Sequence, residues 1–227
     1  MVWGKFRPSL FTYHHTETRP KPALVEEVAS EVLTRINESA ILSPSGLFAT
    51  VLLSTPNKAL TKNNLLKVAK LLFDLQVHAP FHKNVILPKT DIGHLFNYTA
   101  GISNLSYFTY KKDNIVYLND ESVFLLQYYK NNATHLFALP SLIASVFRHN
   151  DTYDKETLYE ICSFIYLFLQ QDLFLPWPKD KLSEKIDEYI NYMVHRGLLH
   201  WDSQKTFLKR PNILTDEYSY FKILGAF

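Results

Sequence analysis

Apolar residues recur with a helical period from Ala23 onward. Leu24, Val25, Val28, Val32, Leu33 and Ile36 make one stripe. A second helix is expected from about Pro44 to Leu53, ended by the turn Thr55-Pro56-Asn57. Thr61 is placed to cap a third helix, which carries Leu65, Leu66, Val68, Ala69, Leu71, Leu72 and Leu75. Pro80 and Pro88 interrupt the pattern. Asp91 then precedes a helix with Ile92, Leu95, Phe96, Thr99 and Ile102. Ser106 to Tyr110 and Ile115 to Leu118 flank Lys112-Asp113-Asn114, which reads as a small β-hairpin or wing.

The second half follows the same order. Glu121 to Tyr129 reads as one helix and Pro140 to Phe147 as another, with a polar segment between them. Asp154 is placed to cap a helix with Leu158, Ile161, Ile165 and Leu169. Pro176-Trp177-Pro178 is a break. Lys181 to His195 carries Leu182, Ile186, Ile190, Met193 and Val194, and Gly197 stops it. Leu198 to Trp201 and Thr206 to Leu208 pattern as a second hairpin.

The two halves also echo each other in residues. Leu60-Thr61-Lys62-Asn63-Asn64-Leu65 resembles Tyr153-Asp154-Lys155-Glu156-Thr157-Leu158, and Leu87-Pro88-Lys89 resembles Trp177-Pro178-Lys179. Asn114 to Leu118 can be set beside Lys205 to Leu208. The spacing drifts by a few residues, as in a divergent duplication. The expected fold is mainly α: a helical bundle of two winged-helix-like units with short β-hairpins, preceded by a stray strand and extended tail. Helical packing with incidental hairpins is the alternative. The expected boundaries are residues 1–22, a first unit at 23–120, a second at 121–210, and the start of a further segment at 211–227.

The opening residues stand apart. Val2 and Phe6 alternate around Gly4, and Pro8, Pro20 and Pro22 follow. A lone strand needs a partner sheet, so the chain is expected to begin inside something larger. Met1 to Leu10 has basic residues but no apolar core with a cleavage site, unlike a signal peptide. The long uncharged window Ser39 to Asn57 contains Pro44-Ser45-Gly46, which reads as a helix boundary and not as part of a membrane span. Attachment to a membrane surface stays open.

Composition narrows the chemistry. The chain has 227 residues, 47% of them apolar, which excludes a disordered polypeptide and supplies a large core. The net charge of +2 gives little electrostatic basis for holding nucleic acid. The candidate recognition helices agree: Asp91 to Ile102 is nearly bare of basic residues, and Lys181 to His195 mixes both signs. The single cysteine, Cys162, excludes an internal disulfide framework and lies in an apolar segment, where a buried thiol is expected. No phosphate-binding glycine loop, metalloprotease helix or nucleophile elbow is present, and no cofactor is implied. His14-His15 lies in a proline-rich tail, and Pro80 spoils a shared helical face for His78 and His82.

Two constellations remain. His149 and Asp154 have the spacing of an acyltransferase dyad, in which a carboxylate holds a histidine that deprotonates a hydroxyl. The context favours a turn with Asp154 as a helix cap, since no following strand-and-glycine segment can place a phosphate. The second is Tyr128-Tyr129-Lys130-Asn131-Asn132-Ala133-Thr134-His135, a polar segment between apolar stretches. In one reading Asn131, Asn132 and His135 satisfy turn or helix-end backbone groups. In the other, Lys130 and His135 face a partner domain or its anionic substrate. The segment is expected at the seam between the halves, with Lys130 beside an acidic partner or an open face.

The run from Tyr128 through His135-Leu136-Phe137-Ala138-Leu139-Pro140 to Ala144 resembles the bacterial glycerol-3-phosphate acyltransferase family, in the region after the catalytic domain. Val51 to Pro56, Asp172 to Leu175 with Trp177, and Gly197-Leu198-Leu199 are similar too. Gly4 and Pro8 resemble the last strand region of the acyltransferase domain, so residues 1–22 read as its remnant. The resemblance implies a peripheral enzyme on the cytoplasmic side of the bacterial inner membrane. That enzyme moves an acyl group from acyl-acyl-carrier-protein or acyl-CoA to the first-carbon hydroxyl of glycerol-3-phosphate. It also implies that the catalytic motif and phosphate-binding arginines lie upstream, and no catalytic role passes to His149 or Asp154. The chain then reads as a fragment, a truncated gene product or half of a split enzyme, inactive alone, with the upstream domain as partner and no nucleic acid. A non-enzymatic winged-helix-like interaction or DNA-binding module is the alternative.

Overall fold

A computed structural model describes residues 22–103, 106–110 and 113–227; the strand expected near Val2 to Phe6 lies outside them. The elements run α1 (Pro22–Glu38), α2 (Pro44–Leu53), β1 (Ala59–Thr61), α3 (Lys62–His78), α4 (Ile92–Ser103), β2 (Ser106–Tyr110), β3 (Asp113–Tyr117) and α5 (Asp120–Val146). They continue with β4 (Thr152–Asp154), α6 (Lys155–Leu173), α7 (Lys179–His195), β5 (His200–Trp201), β6 (Phe207–Lys209) and α8 (Asp216–Leu224). The described residues are mainly helical with two small antiparallel sheets, as the sequence pattern predicts.

Helix starts follow local chemistry. Ser43 Oγ accepts from Gly46 N at 3.0 Å, with Pro44 in the first turn where its missing N–H costs nothing. Thr61 caps α3 through Asn64 N (3.3 Å), Asn119 caps α5 through Ser122 N (2.8 Å), and Asp154 caps α6 through Thr157 N (2.8 Å). Gly197 has φ +70°, and Leu198 N closes back on Met193 O at 2.8 Å after α7.

The sheets share one topology. Their strand orders are β1-β3-β2 and β4-β6-β5, antiparallel throughout. The order helix, strand, helix, helix, strand, strand therefore occurs twice, as α2-β1-α3-α4-β2-β3 and α5-β4-α6-α7-β5-β6. This is the winged-helix order. The echoes in the sequence fall on equivalent places: Thr61 and Asp154 each end a strand and cap the next helix, and Pro88 and Pro178 each precede the third helix. Strands β1 and β4 were not anticipated, because three residues are too few to show alternation.

One expectation is corrected. The stretch from Asp120 to Val146 is a single helix of 27 residues, not two helices around a polar turn. Pro140 lies inside it. Proline lacks an N–H, so the carbonyl of Leu136 loses its helical donor. Gln76, on α3, supplies one: its Nε2 donates to Leu136 O at 2.8 Å, and its Oε1 accepts from Phe81 N at 2.9 Å. The helix continues because a buried amide from the other half replaces the missing bond.

The core is continuous across both halves. Helices α2 and α5, the first of each set, lie against each other. A Cβ built on Gly46 would stand 3.3 Å from Ala133 Cβ and 3.3 Å from Tyr129 O, so the glycine admits this close approach. Helix α8 covers the far end of α5, where Phe221 meets Phe147 edge-on at 5.9 Å.

Candidate functional site

Because Tyr128 to His135 is helical, its side chains divide by helix face. Tyr128, Asn131 and Asn132 face solvent; Tyr129 and Lys130 are half-buried; Ala133 and His135 point into the protein. Tyr128 and Tyr129 meet edge-on at 5.7 Å. Asn131 Oδ1 accepts from Gln127 Nε2 at 2.8 Å on the exposed face, so it holds a neighbouring turn and not a helix-end backbone group. Thr134 Oγ1 donates to Lys130 O at 2.9 Å.

Among the described residues Lys130 has no carboxylate partner, and of the two surroundings expected for it, an acidic partner or an open face, the first is not seen there. Its polar neighbour is Ser54 Oγ, 3.5 Å away at the end of α2. Burial lowers the pKa of its ammonium. His135 is buried, with the Phe81 ring edge-on at 5.2 Å. Desolvation pushes its pKa down to about 4, with the Asn37 backbone pulling weakly the other way. Among the described residues its Nε2 has no hydrogen-bond partner. The imidazole is therefore neutral at pH 7, so His135 does not supply positive charge for an anion.

The other dyad does not assemble. Both carboxylate oxygens of Asp154 face Thr157, one accepting from its N and one from its hydroxyl, each at 2.8 Å. The backbone bond lowers the pKa of the carboxyl. His149 is exposed in the turn after α5 and has no bond to Asp154. Cys162 is buried, its thiol pKa pushed up to about 12 by desolvation, as expected of a structural cysteine.

A second polar junction was missed in the sequence. Lys185 of α7 is buried, donates to Pro80 O, and pairs with Glu188 at 2.7 Å. Its ammonium stands 4.9 Å from the Tyr189 ring centre and 5.6 Å from that of Trp177. Tyr192 Oη donates to Leu71 O at 2.7 Å. Both bonds cross from the second set of elements to the first. A signal was present: Lys185 and Gln76 each fall on the apolar face of their helices, beside Ile186 and Leu75.

Residues 8–227 match the sequence profile described as the glycerol-3-phosphate acyltransferase C-terminal region. The chain belongs to that family. It is 33% identical over 211 residues to a protein of Pseudomonas paraeruginosa (strain DSM 24068 / PA7) named glycerol-3-phosphate acyltransferase, covering 92% of this chain and 25% of the relative. A protein of the same name from Pseudomonas savastanoi pv. phaseolicola is 32% identical over 198 residues, covering 87% and 24%. The chain thus spans about a quarter of the length of the curated relatives it matches. Within this glycerol-3-phosphate acyltransferase C-terminal region, no described helix is long and apolar enough to cross a membrane. The described residues also hold no group of three or more histidine, cysteine or acidic side chains set to bind a metal.

Proposed function

We propose that this chain is the non-catalytic C-terminal module of a glycerol-3-phosphate acyltransferase. It packs against a catalytic portion that transfers an acyl group from acyl-acyl-carrier-protein or acyl-CoA to the sn-1 hydroxyl of glycerol-3-phosphate. The match over residues 8–227 to the C-terminal region of that family, in a chain a quarter of its relatives' length, carries this reading. The site geometry supports it. Acyl transfer needs a base aimed at a hydroxyl and positive charge for a phosphate. Here Asp154 is held by Thr157, and His135 is buried in its neutral form. The seam of α2 and α5, with the exposed Tyr128, Asn131 and Asn132 beside it, serves as the contact face. Residues 23–120 and 121–210 act as two winged-helix-like units, and the module works at the cytoplasmic side of the bacterial inner membrane as a peripheral element. Exposed Phe164 and Phe168, edge-on at 5.8 Å on α6, offer such a surface apolar contact and no positive charge, since Lys155 stands against Glu156, Glu160 and Asp172.

The twofold winged-helix order favours a second reading, a module binding protein or DNA. Duplex DNA fits poorly. Helix α7 carries three lysines against four acidic residues, and one of those lysines, Lys185, is buried.

The test supplies the purified chain with glycerol-3-phosphate and palmitoyl-CoA and follows lysophosphatidate. No product above the blank is expected. Product that disappears in His149→Ala would overturn the reading.

A further inference from the structure

Among the described residues, helix α1 is left uncovered along most of its length. Every residue from Val25 to Leu33 is exposed, and Ile36 beyond them retains 60% of its surface. Its anchor is the last turn, where Asn37 Nδ2 donates to Leu173 O at 2.7 Å and to Phe174 O at 3.4 Å at the end of α6. At the helical period, Leu24, Val25, Val28, Ala29, Val32, Leu33 and Ile36 fill one half of the surface. Glu26 borders this ridge on one side and Glu31 on the other. A free helix of this length is marginal in water and needs an apolar face to pack against.

Charge decides what that face is. Helix α1 carries four glutamates, Glu26, Glu27, Glu31 and Glu38, against one arginine, Arg35, a net of −3. Two copies side by side would repel. A bilayer rich in anionic lipid would repel it too, since surface-seeking helices carry lysine and arginine on the polar face. An apolar groove rimmed by basic side chains complements both the ridge and its border.

We propose that α1 is a docking helix whose ridge of Val25, Val28, Val32 and Ile36 seats in a basic-rimmed apolar groove on the catalytic portion of the acyltransferase. This rests on the function proposed above. The glutamates fix the approach of the helix, and Asn37 fixes its angle to the body.

The test replaces the matching region of the full-length Pseudomonas paraeruginosa relative with this chain and places a benzoyl-phenylalanine photocrosslinker at Val28, Val32 or Tyr128. Crosslinks from Val28 and Val32 to catalytic-portion peptides near lysine or arginine are expected. The double variant Val28→Asp/Val32→Asp should raise the rate of protease cleavage within α1 at least tenfold in the chimera and leave the melting of the isolated chain unchanged. Crosslinks from Tyr128 alone would overturn the role of α1 and spare the proposed function. Crosslinks from none of the three positions would overturn both. Crosslinks from α1 to a second copy, or binding of the isolated chain to phosphatidylglycerol vesicles that Val28→Asp/Val32→Asp abolishes, would also overturn the role of α1.

Discussion

Gln76 donates to the carbonyl of Leu136, the residue four before Pro140, and so holds a proline-containing helix together from the opposite half of the protein. Gln76→Leu removes this donor and also the acceptor of Phe81 N. Each buried group left unpaired costs about 1–3 kcal/mol, so a loss of roughly 2–6 kcal/mol is expected in urea unfolding. Pro140→Ala restores a helical N–H to Leu136. In that background Gln76→Leu should cost about 1 kcal/mol less, a coupling that a double-mutant cycle reads directly.

His135 sets a pH dependence. Its folded pKa, about 4, lies below the ordinary 6.5 because the charged ring is desolvated. Between these values the unfolded chain binds a proton that the folded protein refuses. Stability is therefore complete above pH 6.5 and is lost as pH falls towards 4, by up to about 3 kcal/mol. His135→Leu should flatten this part of the profile. Urea melts of both proteins at pH 4.5 and 7.5 check it: equal slopes would refute the assignment.

The two inward lysines should respond in opposite ways. Lys185→Met leaves Pro80 O unpaired and breaks the bond to Glu188, and a loss of about 1–3 kcal/mol is expected. Lys130 loses no carboxylate partner on substitution, so Lys130→Met should leave the melting temperature unchanged or raise it. Its folded pKa is lowered, so any advantage of the variant should shrink as pH rises towards 10.5, where the unfolded lysine also gives up its proton. Denaturant melts at pH 7.5 and 10 measure this.

Asp154→Ala removes the α6 cap and should cost about 1 kcal/mol. His149→Ala, on an exposed turn, should stay within about 0.5 kcal/mol of the parent. In the chimera with the Pseudomonas relative, neither change should alter the apparent KM for glycerol-3-phosphate. A rise for His149→Ala would restore the dyad.

Phe164→Ser/Phe168→Ser should weaken sedimentation with zwitterionic phosphatidylethanolamine–phosphatidylcholine vesicles several-fold without changing the fold, since both rings are more than half exposed. Unchanged sedimentation would remove α6 from the membrane face.

Much of this architecture is legible because its signals are local. Ser43, Thr61 and Asp154 announce their helices by capping, and Gly197 ends one by a left-handed turn. What escapes the sequence is set across the fold. Pro140 reads as a break because nothing nearby shows that Gln76, 60 residues earlier, will satisfy Leu136. Asn131 and Asn132 read as a turn because asparagine favours turns, and only the continuous helix turns them outward to water. Within the segment expected at the seam, the approach of Lys130 to Ser54 at the end of α2 and the packing of buried His135 on Phe81 both rest on residues distant in sequence.

The close approach at Gly46 bears on how this region can be dissected. Helix α5 opens the second copy of the topology and at the same time walls the core of the first, with Ala133 and Tyr129 resting where a side chain on Gly46 would be. A cut between the copies near Asn119 would strip the earlier half of its lid and leave α5 with a bare apolar flank. The two sets of elements should therefore unfold together, and half-length pieces should be insoluble rather than miniature versions of the whole.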